Sequence, residues 1–181
     1  MPNWFTNQLV IECDSEQQPK LLSQIGTDDS PLDFDKILPI PEPLLDTHTG
    51  SSTVDGKDVK EWLTIDGKDR TLREEEVTRW KSEYGATNWY DWCINNWGTK
   101  WNAKNIILQQ HSNHILFEFD TAWAPPEPIY EFLSSPWEAW LSKQEVYARG
   151  MDEEMSCSDN PEWNYYYPQD TEKIWSWFGA L

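Results

Sequence analysis

The sequence predicts an α+β protein, with an antiparallel sheet, helices on one face, and a helical insertion rich in tryptophan. Three observations lead there. Strand-like apolar runs and helical patterns alternate along the first 150 residues. Residues 104–110 and 113–120 carry a hairpin signal. Between these parts, residues 84–103 hold four of the chain's 13 tryptophans, a density foreign to a generic surface helix.

Taken in order, "NQLVIEC" at residues 7–13 reads as a buried strand. "SEQQPKLLSQIG" follows as a helix, with Ser15 as its cap and Gly26 as its end. "DFDKILPIPEP" reads at most as a short edge strand, because its prolines remove ladder donors. Residues 44–70 are polar and turn-rich. There "DGKD" occurs twice as a turn, flanking "VKEWLTI", which suits either a short strand or a helical turn. This region reads as an insertion and not as a repeat architecture.

Val77, Trp80 and Tyr84 share a helical face, and Thr71 with Glu74 has capping-box spacing, so a helix is expected from Leu72 to Gly85. Glu74, Glu75 and Glu76 suit its first turn, where the macrodipole favours negative charge. A second helix is expected from the cap Asn88 to Gly98. Buried indoles seek a hydrogen-bond partner, and Asn88, Asp91, Asn95 and Asn96 are interleaved to supply one. Trp89, Trp92, Trp97 and Trp101 are therefore expected to be mostly buried against a sheet containing Val10, Ile107 and Phe117. The alternative is an aromatic platform for a base, a sugar or a partner's side chain.

In the hairpin, Ile115, Phe117 and Phe119 alternate with Leu116, Glu118 and Asp120, leaving one face apolar. "PPEPIYEFLSS" predicts a helix broken at Pro136, and "WEAWLSK" a further turn or two. "QEVYAR" predicts a strand, and "TEKIWSWFGAL" a short terminal helix. Without the insertion the order is strand, helix, strand, strand, helix, strand, the split βαβ pattern of ferredoxin-like sandwiches. Residues 1–181 are expected to form a single domain, with 42–103 as insertion and 151–181 as an acidic, aromatic C-terminal extension.

Composition excludes several classes. A formal charge of −18 argues against binding a phosphate backbone or an anionic membrane surface. Cys13, Cys93 and Cys157 are widely spaced, which gives neither a disulfide framework nor a zinc knuckle. No apolar run approaches the ~20 residues of a membrane span, and "MPNWFTNQL" lacks the regions of a signal peptide. A reducing cytoplasm is the expected location.

Four blocks carry a resemblance: "MPNW…N.L.I", "DFDKILPIPEP", "YGATNWYDWCINNWGTKW" and "F.FDTAWAPP". Together they are similar to the YubB-type ferredoxin-like domain family, encoded mainly by phages, plasmids and other mobile elements of bacteria. The likeness covers residues 1–128, with looser similarity at 147–150. Its motif positions here are Asn88, Trp89, Tyr90, Asp91, Trp92, Trp97, Gly98, Thr99, Lys100, Trp101 and Trp123. The resemblance implies a ferredoxin-like fold without an iron–sulfur cluster, and no established activity, so it carries over no catalytic residue. Phe5 stands where the family pattern leads one to expect cysteine.

His111 and His114 flank the hairpin turn, but a metal would need further ligands from Cys13, Cys93 or a carboxylate, and no spacing assembles them. Cys93 lies among tryptophans, where burial makes a thiol inert. Asp91, Glu118 and Asp120 read as solvent-facing acids more readily than as an acid–base cluster. Thr99 and Lys100 after Gly98 suit an anion at a turn, although Lys100 reads more simply as offsetting local acidity. Neither catalytic residues, metal nor cofactor is expected.

The functional expectation is a non-enzymatic acidic interaction protein of a mobile genetic element. Its partner would be a host protein with a basic surface, and in the sharpest version it would mimic DNA to inhibit a nucleic-acid-binding or defence complex. The acidic face would comprise Glu118, Asp120, Glu127, Glu131, Asp152, Glu153 and Glu154, without direct nucleic-acid or membrane binding. The rival is a small-molecule- or nucleotide-binding module, or a small hydrolase, using the tryptophan-rich cleft.

Overall fold

The computed structural model describes residues 3–134, 146–152 and 164–166. In chain order these form β1 (Trp4–Glu12), α1 (Gln18–Ile25) and the short helices α2 (Phe34–Ile37) and α3 (Glu42–Leu45). Next come β2 (Thr47–Val54), β3 (Lys57–Ile65) and β4 (Lys68–Thr71), then α4 (Glu74–Tyr84) and α5 (Trp89–Trp97). The hairpin strands β5 (Lys104–Gln110) and β6 (His114–Ala122) lead to α6 (Glu127–Ser134), β7 (Val146–Asp152) and β8 (Asn164–Tyr166).

The larger sheet has the order β5-β6-β1-β7-β8, with neighbouring strands antiparallel. β1 is central because it has ladder partners on both sides: Trp4 faces Ala122 and Glu12 faces His114, while Phe5 faces Asp152. The strand therefore begins three residues before the expected start, and Cys13 is buried just beyond its end. Alternation sends Phe5, Asn7, Leu9 and Ile11 to one face. There Leu9, Ile11, Ile115, Phe117 and Phe119 join Leu21, Phe34, Trp92, Trp97, Ile129 and Tyr130 in one buried cluster. The mixed α+β class holds.

Asn7 fixes α6 to this face. It is fully buried, and its Nδ2 donates to Phe5 O, Phe119 O and Thr121 Oγ1 at 2.8, 3.2 and 2.9 Å. Its Oδ1 accepts from the Tyr130 hydroxyl at 2.8 Å. Every polar group of the side chain is thereby satisfied, as burial demands.

The second sheet, β2-β3-β4, resolves the ambiguity at "VKEWLTI": it is the middle strand. Both expected turns are tight hairpins, with Asp55 and Gly56 at φ 49° and 74°, and Asp66 and Gly67 at 50° and 72°. Two successive positive φ values define the turn that matches strand twist, and Asp-Gly is its preferred pair. Leu63 of β3 and Trp80 of α4 belong to the same buried cluster as the larger sheet's core.

Several expectations are corrected. Residues 33–43 hold helical turns and no strand, because Asp33 Oδ1 accepts from Asp35 N and Lys36 N, and Phe34 and Ile37 then share a buried face. α1 is preceded by Gln17 at the cap position, not Ser15, though Gly26 does follow its end. α4 starts at Glu74, since Thr71 is the last residue of β4. Its cap interaction comes from Glu76, whose Oε2 accepts from Arg73 N at 2.9 Å. The Arg70 guanidinium grips the same carboxylate at 2.8 and 2.6 Å, and its hydrogen bonds hold the Glu76 carboxyl down at about 2. Val10 is buried but stands outside the main cluster, on the opposite face by alternation, and Ile107 is 54% exposed. Neither supports the tryptophans. The segments expected as "WEAWLSK" and "TEKIWSWFGAL" lie outside the described residues.

Candidate functional site

The motif residues divide into a buried half and a surface half. Asn88 caps α5, its Oδ1 accepting from Asp91 N at 2.8 Å while its Nδ2 donates to Glu61 Oε1 and Asp91 Oδ2 at 2.7 and 2.9 Å. Trp89 N donates to Thr47 Oγ1 at 3.0 Å, which ties the helix start to β2. Trp92 and Trp97 are buried and meet edge to face at 5.9 Å. Phe34 lies on the Trp97 ring in the same manner, and Trp97 Nε1 donates to Leu38 O at 2.9 Å. The expected amide partner for this indole is instead a distant backbone carbonyl. Trp89 is half-buried at the margin of the core, whereas Trp101 takes no part in it.

Gly98 ends α5 in the left-handed region, at φ 78°, and its N–H donates to Ile94 O at 3.2 Å. A Cβ there would lie 2.9 Å from Pro128 Cδ and 3.0 Å from Pro125 O, so the turn is also a close approach to the α6 entry. Thr99 completes the join: its buried hydroxyl donates to Ala122 O at 3.0 Å and accepts from Ala122 N at 3.1 Å. The chain therefore leaves α5 clamped to the end of β6, and Lys100 and Trp101 emerge beside Trp123.

The result is an aromatic patch. Lys100 Nζ lies 4.8, 5.2 and 5.7 Å from the ring centres of Trp101, Tyr90 and Trp123. Trp101 stacks on Trp123 at 6.1 Å and 25°, and the Trp4 ring lies 6.0 Å from that of Trp101, tilted by 37°. Trp123 is 46% exposed and has φ 66°, an outlier for so bulky a residue. Its N–H donates to Asn3 O at 2.9 Å. Backbone strain in an exposed aromatic residue points to function more than to stability. Three of the four resemblance blocks, represented by Trp4, Trp101 and Trp123, thus meet on one surface. Trp4 was missing from the expected site residues. Only its register opposite Ala122 brings it there, and no local pattern signals that.

If the left-handed backbone strains Trp123, Trp123→Gly will be more stable than Trp123→Ala by about 1 kcal/mol, reversing the usual order of these residues. Paired urea unfolding curves would test this. Equal stabilities, or alanine the more stable, would remove strain from the account.

Four of the expected acidic residues, Glu118, Asp120, Glu127 and Glu131, divide between the two sides of the larger sheet. Glu118 and Asp120 lie across from Gln8 and Thr6, which donate to them at 3.0 Å each, on the side of the sheet opposite Asn7. Asn105 Nδ2 also donates to Asp120, at 2.8 Å. Glu127 and Glu131 are exposed on α6, which packs through Tyr130 on the Asn7 side. Asp152 is the last residue of β7, and Glu153 and Glu154 lie outside the described residues.

Other candidate chemistry is weak. Burial pushes the Cys13 thiol up to about 11 and that of Cys93 to about 12, so both are poor nucleophiles. The His111 and His114 rings stack in parallel at 4.2 Å, and burial with the neighbouring His111 lowers the His114 pKa. Among the described residues no three His, Cys, Asp or Glu side chains converge as a metal-binding group. A groove of about 270 Å³ beside α4 and α5 contains Tyr90 and Ile94 but no tryptophan. No described helix is long and apolar enough to cross a membrane.

Fold and surface together define an α+β protein bearing an exposed aromatic patch built around a lysine. Comparisons with models of protein families, with curated proteins and with solved structures returned no match.

Proposed function

We propose that this chain is a non-enzymatic binding protein of a mobile genetic element, acting in the cytoplasm of a bacterial host, with the patch of Lys100, Trp101 and Trp123 as its contact surface. The observation that carries the reading is Trp123, an exposed indole held on strained backbone where three resemblance blocks meet. Exposed aromatic residues in a rigid setting are the usual anchors of an interface. The reading as a YubB-type, ferredoxin-like domain has the support of the strand order β5-β6-β1-β7, with helices between β1 and β5 and between β6 and β7.

The partner proposed is a host protein with a basic surface, because a charge of −18 speeds and orients encounter with cations. The DNA-mimic version asks for one continuous acidic face. The division of Glu118 and Asp120 from Glu127 and Glu131 favours a general field around the molecule over that version.

Pull-down from the bacterial host with tagged protein tests the proposal. A basic partner should be captured, released by salt, and lost with Trp123→Ala while the variant stays folded. Undiminished capture by the variant would remove the patch from the interface. Reversing Asp152, Glu153 and Glu154 to lysine separates a contact through the acidic extension, which would weaken while the patch variant did not.

A further inference from the structure

Lys100 is distinguished among the described cations by a setting made of aromatic rings. With 14 Lys and Arg against 32 Asp and Glu, a lysine has carboxylates in excess to pair with. Yet the only ion pair among the described residues joins Arg70 to Glu76. Lys100 is half-buried and its described contacts are the rings of Trp101, Tyr90 and Trp123. Ring faces attract an ammonium through their quadrupole but offer it no lone pair in the plane of a hydrogen bond. The three N–H donors of the lysine are thus held in place and unspent on any described oxygen. Beside them stands the Trp123 indole, in a residue that is 46% exposed and whose backbone N–H is bonded to the Asn3 carbonyl.

We propose that this is a binding site for a carboxylate carried next to a planar aromatic ring, the carboxylate pairing with the Lys100 ammonium and the ring stacking on Trp123. The inference rests on the patch being the recognition surface and names the chemistry recognised there. Partly buried surroundings strengthen a charge-assisted hydrogen bond, and an indole accepts any flat partner. The charge of the whole molecule narrows the class further. Each added negative charge on the ligand meets the same repelling field, so a single carboxylate is favoured over a phosphate dianion. A free aryl acid and the C-terminal aromatic residue of a peptide share this chemistry.

The test follows the tryptophan indole N–H signals of the full chain by two-dimensional NMR during titration. Indole-3-acetate is compared with indole-3-acetamide, and an N-acetylated tripeptide ending in tryptophan with its C-terminal amide. Both acids should shift the Trp101 and Trp123 signals and bind about tenfold or more tightly than their amides, the loss expected for one charge-assisted hydrogen bond. Lys100→Met should erase that difference, and AMP should bind more weakly than indole-3-acetate. The tighter of the two acids identifies the source of the ligand. Equal binding of acid and amide in both pairs overturns the proposal, even if Lys100→Met fails to fold. So does an unchanged preference for acid in that variant, or no binding at all. If Trp123→Ala loses the host partner while acids and amides bind alike, this inference fails and the interface reading stands. If the acids bind through Lys100 while capture is unaffected, the opposite holds.

Discussion

Trp97→Ala is expected to lower the stability of the fold by about 3–5 kcal/mol, the cost of emptying a large aromatic site in a core. The indole is 3% exposed, touches Phe34 and Trp92 edge to face, and donates to the carbonyl of Leu38. Truncation opens a cavity between α2 and α5 and also orphans that carbonyl, which lies in the turn after α2. Against a total of about 5–15 kcal/mol for a domain, much of the folded population is at stake. Urea unfolding should show a lower midpoint at an unchanged slope. A loss under about 1 kcal/mol, the range of surface changes, would show that Trp97 does not hold α5 on the core.

Gly98→Ala should cost about 2–5 kcal/mol, combining about 1–2 for a side chain in left-handed backbone with about 1–3 for overpacking. The added methyl would meet Pro128 Cδ at 2.9 Å and Pro125 O at 3.0 Å, and neither belongs to a flexible side-chain end. Relief requires α5 and the entry to α6 to separate, which pulls Thr99 from Ala122 and moves Lys100 and Trp101 from Trp123. The variant should therefore lose ligand or partner binding at temperatures where it remains folded. Comparison with Gly85→Ala isolates the clash. Gly85 has nearly the same φ, 73°, but nothing within 4 Å of an added Cβ, so its cost should stay near the backbone term alone. Equal losses at the two glycines would show that contact with α6 does not matter.

The motif glycines and asparagines were legible because their work is local. Asn88 bonds three residues ahead, Gly98 ends its own helix, and each Asp-Gly pair closes a two-residue turn. Hairpin β5–β6 and helix α6 were legible for the same reason, since period and turn chemistry act over a few neighbours. Where local signals competed, the reading failed. Asp33 as a cap outweighed the strand-like apolar run after it, and Glu76 displaced the capping box at Thr71 because Arg70 of β4 holds its carboxylate.

By itself the sequence determined the class of the fold, its turns and helix ends, and which residue types were available for a site, because backbone preferences and caps depend on near neighbours. Only the tertiary structure decided which of those residues meet. Tyr130 satisfies Asn7 across 123 positions, Trp4 reaches Trp101 through its register beside β6, and Lys100 is placed under Trp123 by the clamp at Gly98 and Thr99. Strand register and the close approach of α5 to α6 set these distances, and neither leaves a periodic trace in the chain. The same holds for the acidic residues: alternation placed Glu118 and Asp120 on one face, but only the packing of α6 put Glu127 and Glu131 on the other.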